Sequence, residues 1–265
     1  MSLNLSSLNS GSNGNCYYIG NDHDAVLIDA GISCRETEHR MTNLGLSIRN
    51  VRAIFISHEH TDHTRGVEVL SRKHRIPVFI TPVTHRNSRL FLDPALVQSF
   101  TPHRPVQIGS LSVLPVPKLH DGIDPHSFTV SSNGFTAGVF TDIGEACENV
   151  IRQLSRCHAV FLESNYDEKM LEEGSYPVYL KRRIAGGNGH LSNRQALEIF
   201  TRHRAPFLKV LVLSHLSAMN NRPEIVQKLF SPHANGTRIA IASRYEPTEI
   251  YRIPHRQDLT LFPLT

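Results

Sequence analysis

The stretch Val51–His63, VRAIFISHEHTDH, decides how the rest of the chain is read. Its apolar and β-branched residues run into Ser57, and such a run bounded by polar residues fits a buried strand. Directly after it come His58, His60, Asp62 and His63. His58, His60 and Asp62 alternate with Glu59 and Thr61, so an extended backbone would point those three the same way. His63 is out of that phase and needs a turn to aim it. With 16 histidines in the chain, some close pairs arise by chance. Three histidines and an aspartate clustered at a strand end point instead to a strand that hands ligands to a metal.

The chain around this stretch is long enough for one large α/β domain or two small ones. A chain of 265 residues with 40% hydrophobic content can bury a large core. Its net charge of +4 permits a polyanionic partner without demanding one. Cys16, Cys34, Cys147 and Cys157 show no CxxC spacing, which argues against a zinc knuckle or a disulfide scaffold. No basic-then-apolar leader and no apolar run of ~20 residues is present, so the expectation is a cytoplasmic protein with no membrane contact.

Outward from Val51, the periodicity predicts strands at Leu3–Leu8, Cys16–Gly20 and Ala25–Asp29, a crossover helix at Ser33–Leu44, and one helix over Thr64–His74. Pro77–Ile80 reads as a strand, Val83–Leu92 as a helix, and Val97–Pro117 as strand-rich. Ser127–Ser131, Phe135–Thr141 and Ala159–Glu163 read as strands, with a helix at Glu145–Leu154. Met170–Ile184 is helix-prone apart from a Gly-Ser-Tyr-Pro interruption. An open Gly-rich loop at Gly186–Gly189 precedes a capped helix at Ser192–His203. Leu208–Ser214 is a buried strand, Arg222–Phe230 a helix, and Arg238–Ala242 the last clear strand. No linker separates two compositions, so the expectation is a single α/β domain over 1–265. Its alternating halves suit two sheets packed face to face with helices outside.

Further ligands should arrive at other strand ends, because metal sites draw on distant segments. Three residues fit: His120 after Leu119, Asp142 ending FTAGVFTD, and His215 ending LKVLVLSH. His120 competes with His103 and His126 nearby, and Asp142 also reads as a helix cap. His190, in Gly189-His190-Leu191-Ser192-Asn193, stands just ahead of a helix that it could simply begin. Asp29 ends the strand AVLID and could simply make the turn before Gly31.

The spacing His-x-His-x-Asp-His resembles the signature of the metallo-β-lactamase superfamily, and His120, Asp142 and His215 match its later ligand positions in order. The resemblance implies a four-layer αββα sandwich. It assigns His58, His60 and His120 to one metal and Asp62, His63 and His215 to a second, with Asp142 bridging both. It makes Asp29 a residue that fixes a ligand histidine. The ligands are all nitrogen and oxygen, which suits Mn²⁺, Zn²⁺ or Fe²⁺. Two such ions would activate a shared water for hydrolysis, with Asp62 orienting it. The GHLSN loop resembles the His-x-Ser/Thr motif of the superfamily's tRNA 3′-processing enzymes, which makes His190 a candidate general acid.

The stretches SLNSGSNGNCYYIG, His120-Asp121, ESNYDEKML and LSHLSAMNNRPE resemble the YycJ/WalJ group of this superfamily. That implies a 5′→3′ exonuclease acting on DNA, with a role in DNA repair. Tyr166 departs from the histidine expected after Ser-Asn, and Asn13 stands where a serine is expected. A glyoxalase II-like thioesterase or a lactonase shares the seven-ligand set and is the main alternative. The segment between Asp142 and His215 is too short for the nucleic-acid-binding insertion of β-CASP nucleases. Among the basic groups Arg72–Arg75, Lys181–Arg183 and Arg202–Arg204, the second leads into the His190 loop.

Overall fold

The chain builds two sheets from strands that alternate their side chains between two buried faces. Leu3 and Leu5 lie in one cluster and Leu8 in another; Ala53 and Phe55 likewise part from Ile54 and Ile56, and Val210 and Val212 from Leu211 and Leu213. Strands apolar on both faces must be covered on both faces. The computed structural model describes residues 2–254.

The first sheet contains β1 (Leu3–Asn9), β2 (Cys16–Gly20), β3 (Ala25–Ile28), β4 (Val51–Phe55), β5 (Val78–Phe79) and β6 (Val97–Gln98). The second contains β7 (Val106–Ile108), β8 (Leu111–Pro117), β9 (His126–Ser132), β10 (Phe135–Phe140), β11 (Ala159–Glu163), β12 (Val210–Ser214) and β13 (Arg238–Ile241). A last strand, β14 (Tyr251–Ile253), returns to pair antiparallel with β1. Each sheet begins as an antiparallel meander and becomes parallel, from β3 to β6 in one and from β10 to β13 in the other. Parallel neighbours need crossovers, and helices supply them.

Helices α1 (Cys34–Asn43) and α3 (Val67–His74) cover the outer face of the first sheet through Met41, Val67 and Leu70. Helices α5 (Glu148–Leu154), α8 (Asn193–His203) and α9 (Pro223–Phe230) cover the second through Val150, Phe200 and Phe230. The middle cluster, with Tyr17, Phe55, Phe128 and Phe161, joins the sheets. These are the four αββα layers of a single α/β domain. The expected domain ran over 1–265, and its end from 255 lies outside the described residues.

Three expectations need correction. Strand β4 stops at Phe55, so Asp62 does not share an extended backbone with His58 and His60. Ile56 N–H still bonds Phe79 O, but Ser57 N–H goes to the Asp29 carboxylate (2.8 Å), which draws the chain out of the sheet. The predicted helix from Thr64 is two helices, α2 (Thr61–Thr64) and α3, parted where Gly66 N–H bonds Ala30 O. Arg238–Ile241 is not the last strand, because β14 follows it. The expected cap on Ser192–His203 is present: Ser192 and Gln195 form a capping box. Met170–Ile184 divides at its interruption into α6 (Glu168–Glu173) and α7 (Val178–Ala185).

Candidate metal centre

The ends of the strands converge on one place. Asp29 follows β3, the histidine stretch follows β4, His120 follows β8, Asp142 follows β10, Glu163 ends β11 and His215 follows β12. Open parallel sheets present their sites at such carboxyl ends. Asp29, Asp142 and His215 all take left-handed backbone, with φ of 61°, 54° and 58°. That conformation is uncommon for side-chain-bearing residues and collects at functional sites. Here it turns each chain sharply off its strand.

The histidine stretch is bent by its neighbours. His63 N–H bonds His60 O, which starts α2 and swings Asp62 and His63 inward. The Asp62 carbonyl accepts from Asn15 N–H (2.7 Å) and packs so closely on Gly31 that a Cβ there would meet it at 1.6 Å. Only glycine fits at that position.

His58, His60 and His120 come within mutual ligand range, as do Asp62, His63 and His215, and as do His58, His63 and Asp142. Asp142 stands between the groups. Its carboxylate lies 3.3 Å from His63 Nε2, 3.4 Å from His215 Nε2 and 3.9 Å from His120 Nε2. His190 Nδ1 approaches the same carboxylate at 3.9 Å. The structure therefore brings together the seven expected ligand positions and His190. His103 and His126, the rivals of His120, are absent from these groups.

The imidazoles are aimed by bonds at their far nitrogens. His63 Nδ1 faces Asp29 Oδ2 at 2.7 Å, and Asp29 is further tied by the Ser57 hydroxyl. His120 Nδ1 faces Gly189 O at 3.0 Å, and His215 Nδ1 faces Glu163 Oε1 at 3.2 Å. An acceptor at Nδ1 fixes the tautomer and leaves Nε2 for a metal. Glu163 was not expected. Its Oε1 also meets His190 Nδ1 at 2.8 Å, and Oε2 accepts from the backbone N–H of Ile143 and Leu191. The signal was a glutamate closing the apolar strand AVFLE. Asn165, whose amide bonds His215 O, and the buried Lys118, whose ammonium bonds Thr141 O, were also missed.

The donor set fits divalent ions. His120 Nε2, His215 Nε2 and Asp142 Oδ2 are buried and have no hydrogen-bond partner, although most buried polar atoms do. Burial opposes charge on His63 and His215, yet Asp142 and its neighbouring carboxylates outweigh it. They hold His63 well above the usual range and His215 up to about 10. Burial lowers His120 to about 4. Asp62 lies at about 2, because His63 and His215 overcome its desolvation. A field that retains protons this strongly also favours cations, and buried carboxylates are paired or bind metal.

The fold and this assembly of strand-end histidines and aspartates define the class. The family model described as "Beta-lactamase superfamily domain" matches residues 24–216, and the chain belongs to that family. It is a metal-dependent hydrolase. Among its relatives, Exodeoxyribonuclease YycJ of Bacillus anthracis is 32% identical over 232 residues, covering 86% of this chain and 87% of that protein. Exodeoxyribonuclease WalJ of Streptococcus pneumoniae (strain D39 / NCTC 7466) is 29% identical over 223 residues, covering 82% and 83%. The metallo-beta-lactamase fold protein YhfI from Bacillus subtilis superposes with a TM-score of 0.74 at 13% identity, covering 95% of this chain and 99% of that one. Among the described residues no helix is long and apolar enough to cross a membrane.

Proposed function

We propose that this protein is a binuclear metal-dependent nuclease that cleaves DNA phosphodiesters as a 5′→3′ exonuclease. Its named relatives support a DNA substrate. His58, His60 and His120 would hold one ion, Asp62, His63 and His215 the other, and Asp142 both. Manganese and zinc both suit this nitrogen and oxygen set, and iron(II) is compatible with it. The ions, when bound, acidify water and neutralise charge on the phosphoryl oxygens. Asp62, whose Oδ2 accepts from Asn15 Nδ2 (3.2 Å), orients the attacking water.

One observation carries the choice of phosphodiester: His190 is half-buried beside Asp142 and held at Nδ1 by Glu163. Its Nε2 is left to give a proton to a departing oxygen. An alkoxide leaving group benefits from such an acid, whereas a thiolate departs without one. A cytoplasmic role in DNA repair fits this activity. The test is a metal-defined sample offered end-labelled single- and double-stranded DNA, RNA and a thioester. DNA degradation is expected; a protein that hydrolyses only thioesters or lactones overturns the reading.

A further inference from the structure

Beside His190 lies a groove of about 200 Å³, lined among others by Ser12, Asp121, Tyr176, Leu180, Arg183 and Ser217. Arg183 comes from α7, a helix with no buried residue, which carries the basic run Lys181–Arg183. The other two basic runs are engaged elsewhere. Lys73 and His74 pair with Glu38 and Arg75 with Asp93, while Arg204 lies over Phe200 and bonds His233 O.

Arg183 is fixed relative to the metal centre from two directions. Its Nε donates to Asp121 Oδ2 at 2.6 Å, and Asp121 Oδ1 lies 3.3 Å from His120 Nε2. Its backbone is locked to the His190 loop. His190 N–H bonds Ile184 O, and a Cβ on Gly189 would stand 2.2 Å from the carbonyls of Arg183 and Ile184. The terminal guanidinium nitrogens have no partner among the described residues, and the side chain is 61% exposed. A guanidinium anchored by one edge presents the other as a fork for a phosphate.

The groove lies on the side of the acid, which is the side of the leaving group. At about 200 Å³ the groove has room for a sugar-phosphate. We propose that the groove seats the 5′-terminal nucleotide of a DNA strand and that Arg183 reads its 5′ phosphate. This rests on the nuclease reading with His190 as acid.

In the step, a water oxygen forms the new bond to phosphorus as the water gives up a proton to solvent. The P–O3′ bond breaks with its electron pair on O3′, and O3′ takes the proton of His190 Nε2. A nucleotide with its original 5′ phosphate and a 3′ hydroxyl departs. The shortened strand keeps the attacked phosphate as a new 5′ phosphate, so each cut recreates the recognised end.

The test compares one oligonucleotide with a 5′ phosphate and with a 5′ hydroxyl, sampled cut by cut. Wild type should make its first cut on the hydroxyl end about tenfold or more slower, the worth of one charge-assisted hydrogen bond. Every later cut should run at the same rate on both. Arg183→Gln should erase that gap, and Arg183→Lys should retain part of it, because charge survives without the fork. Loosening of the loop would slow every cut alike and leave the ratio unmoved. Binding in EDTA should show the same loss of 5′-phosphate preference in Arg183→Gln. Equal first cuts by wild type, a preserved gap in Arg183→Gln, or digestion from the 3′ end overturns the proposal. Intact DNA would instead overturn the nuclease reading beneath it.

Discussion

Replacing Glu163 by glutamine should cost both stability and turnover, although the side chain keeps its size. The carboxylate is fully buried and accepts four contacts: His190 Nδ1 at 2.8 Å, His215 Nδ1 at 3.2 Å, Ile143 N–H at 2.8 Å and Leu191 N–H at 3.1 Å. Burial alone would raise its pKa, but the charge and hydrogen bonds of His190 and the bond from His215 hold it at about 2. Glutamine supplies one acceptor oxygen and a donating amide. If the amide faces Ile143 and Leu191, two buried N–H groups lose their acceptor. If it faces the imidazoles, both must adopt the tautomer with the proton on Nε2, which spoils His215 as a ligand. Two unmet donors at roughly 1–3 kcal/mol each suggest a loss of about 3 kcal/mol. For a chain of this size that lowers the midpoint by roughly 6–12 °C. Thermal unfolding in EDTA reads the stability, and DNA cleavage at saturating metal should fall by about 100-fold or more. A Glu163→Gln protein that melts within a degree or two of wild type and cleaves normally would refute the four-contact argument.

His190→Ala should keep a near-normal metal content while DNA cleavage falls by roughly 10²–10⁴-fold. An aryl phosphodiester whose leaving group is stable as an anion should suffer far less; equal losses on both substrates would contradict an acid role. Chelation should lower the melting temperature by several degrees, since an ion at 100 times its Kd adds about 2.7 kcal/mol, and manganese or zinc should restore it. Lys118→Met removes the buried ammonium from Thr141 O and from the neighbourhood of Asp142, Asp29 and Glu163. Melting curves should show a loss of about 3 kcal/mol without metal and a smaller loss with metal, because bound cations take over the neutralisation. The same loss in both states would contradict that.

The residues at strand ends were legible because their signal is local. A continuous apolar run that gives out just before His58, Asp142 or His215 announces both the buried strand and the polar residue it delivers. Asp62 and His63 were legible as site residues, and His63 as one that a turn must aim, but Asp62 was placed on extended backbone and lies in α2 instead. The α2 turn depends on Asn15, Gly31 and Ala30 reaching across from other segments, and periodicity carries none of that. Glu163 and Lys118 remained hidden for a similar reason. Each stands next to residues that the reading did identify, but its role lies in bonds to His190, His215 and Thr141, contacts that only the closed sandwich creates. The strand β14 was missed because three residues, Tyr251–Ile253, are too few to show a period; pairing with β1 makes them a strand.

In the proposed centre, seven residues from both sheets would hold two ions, with Asp142 between them. Anomalous diffraction from crystals soaked with manganese tests it directly. Two peaks are expected, one among His58, His60 and His120 and one among Asp62, His63 and His215, with Asp142 touching both. In Asp142→Asn crystals occupancy should fall at both positions. A single peak, or a second ion bound outside these residues, would contradict it.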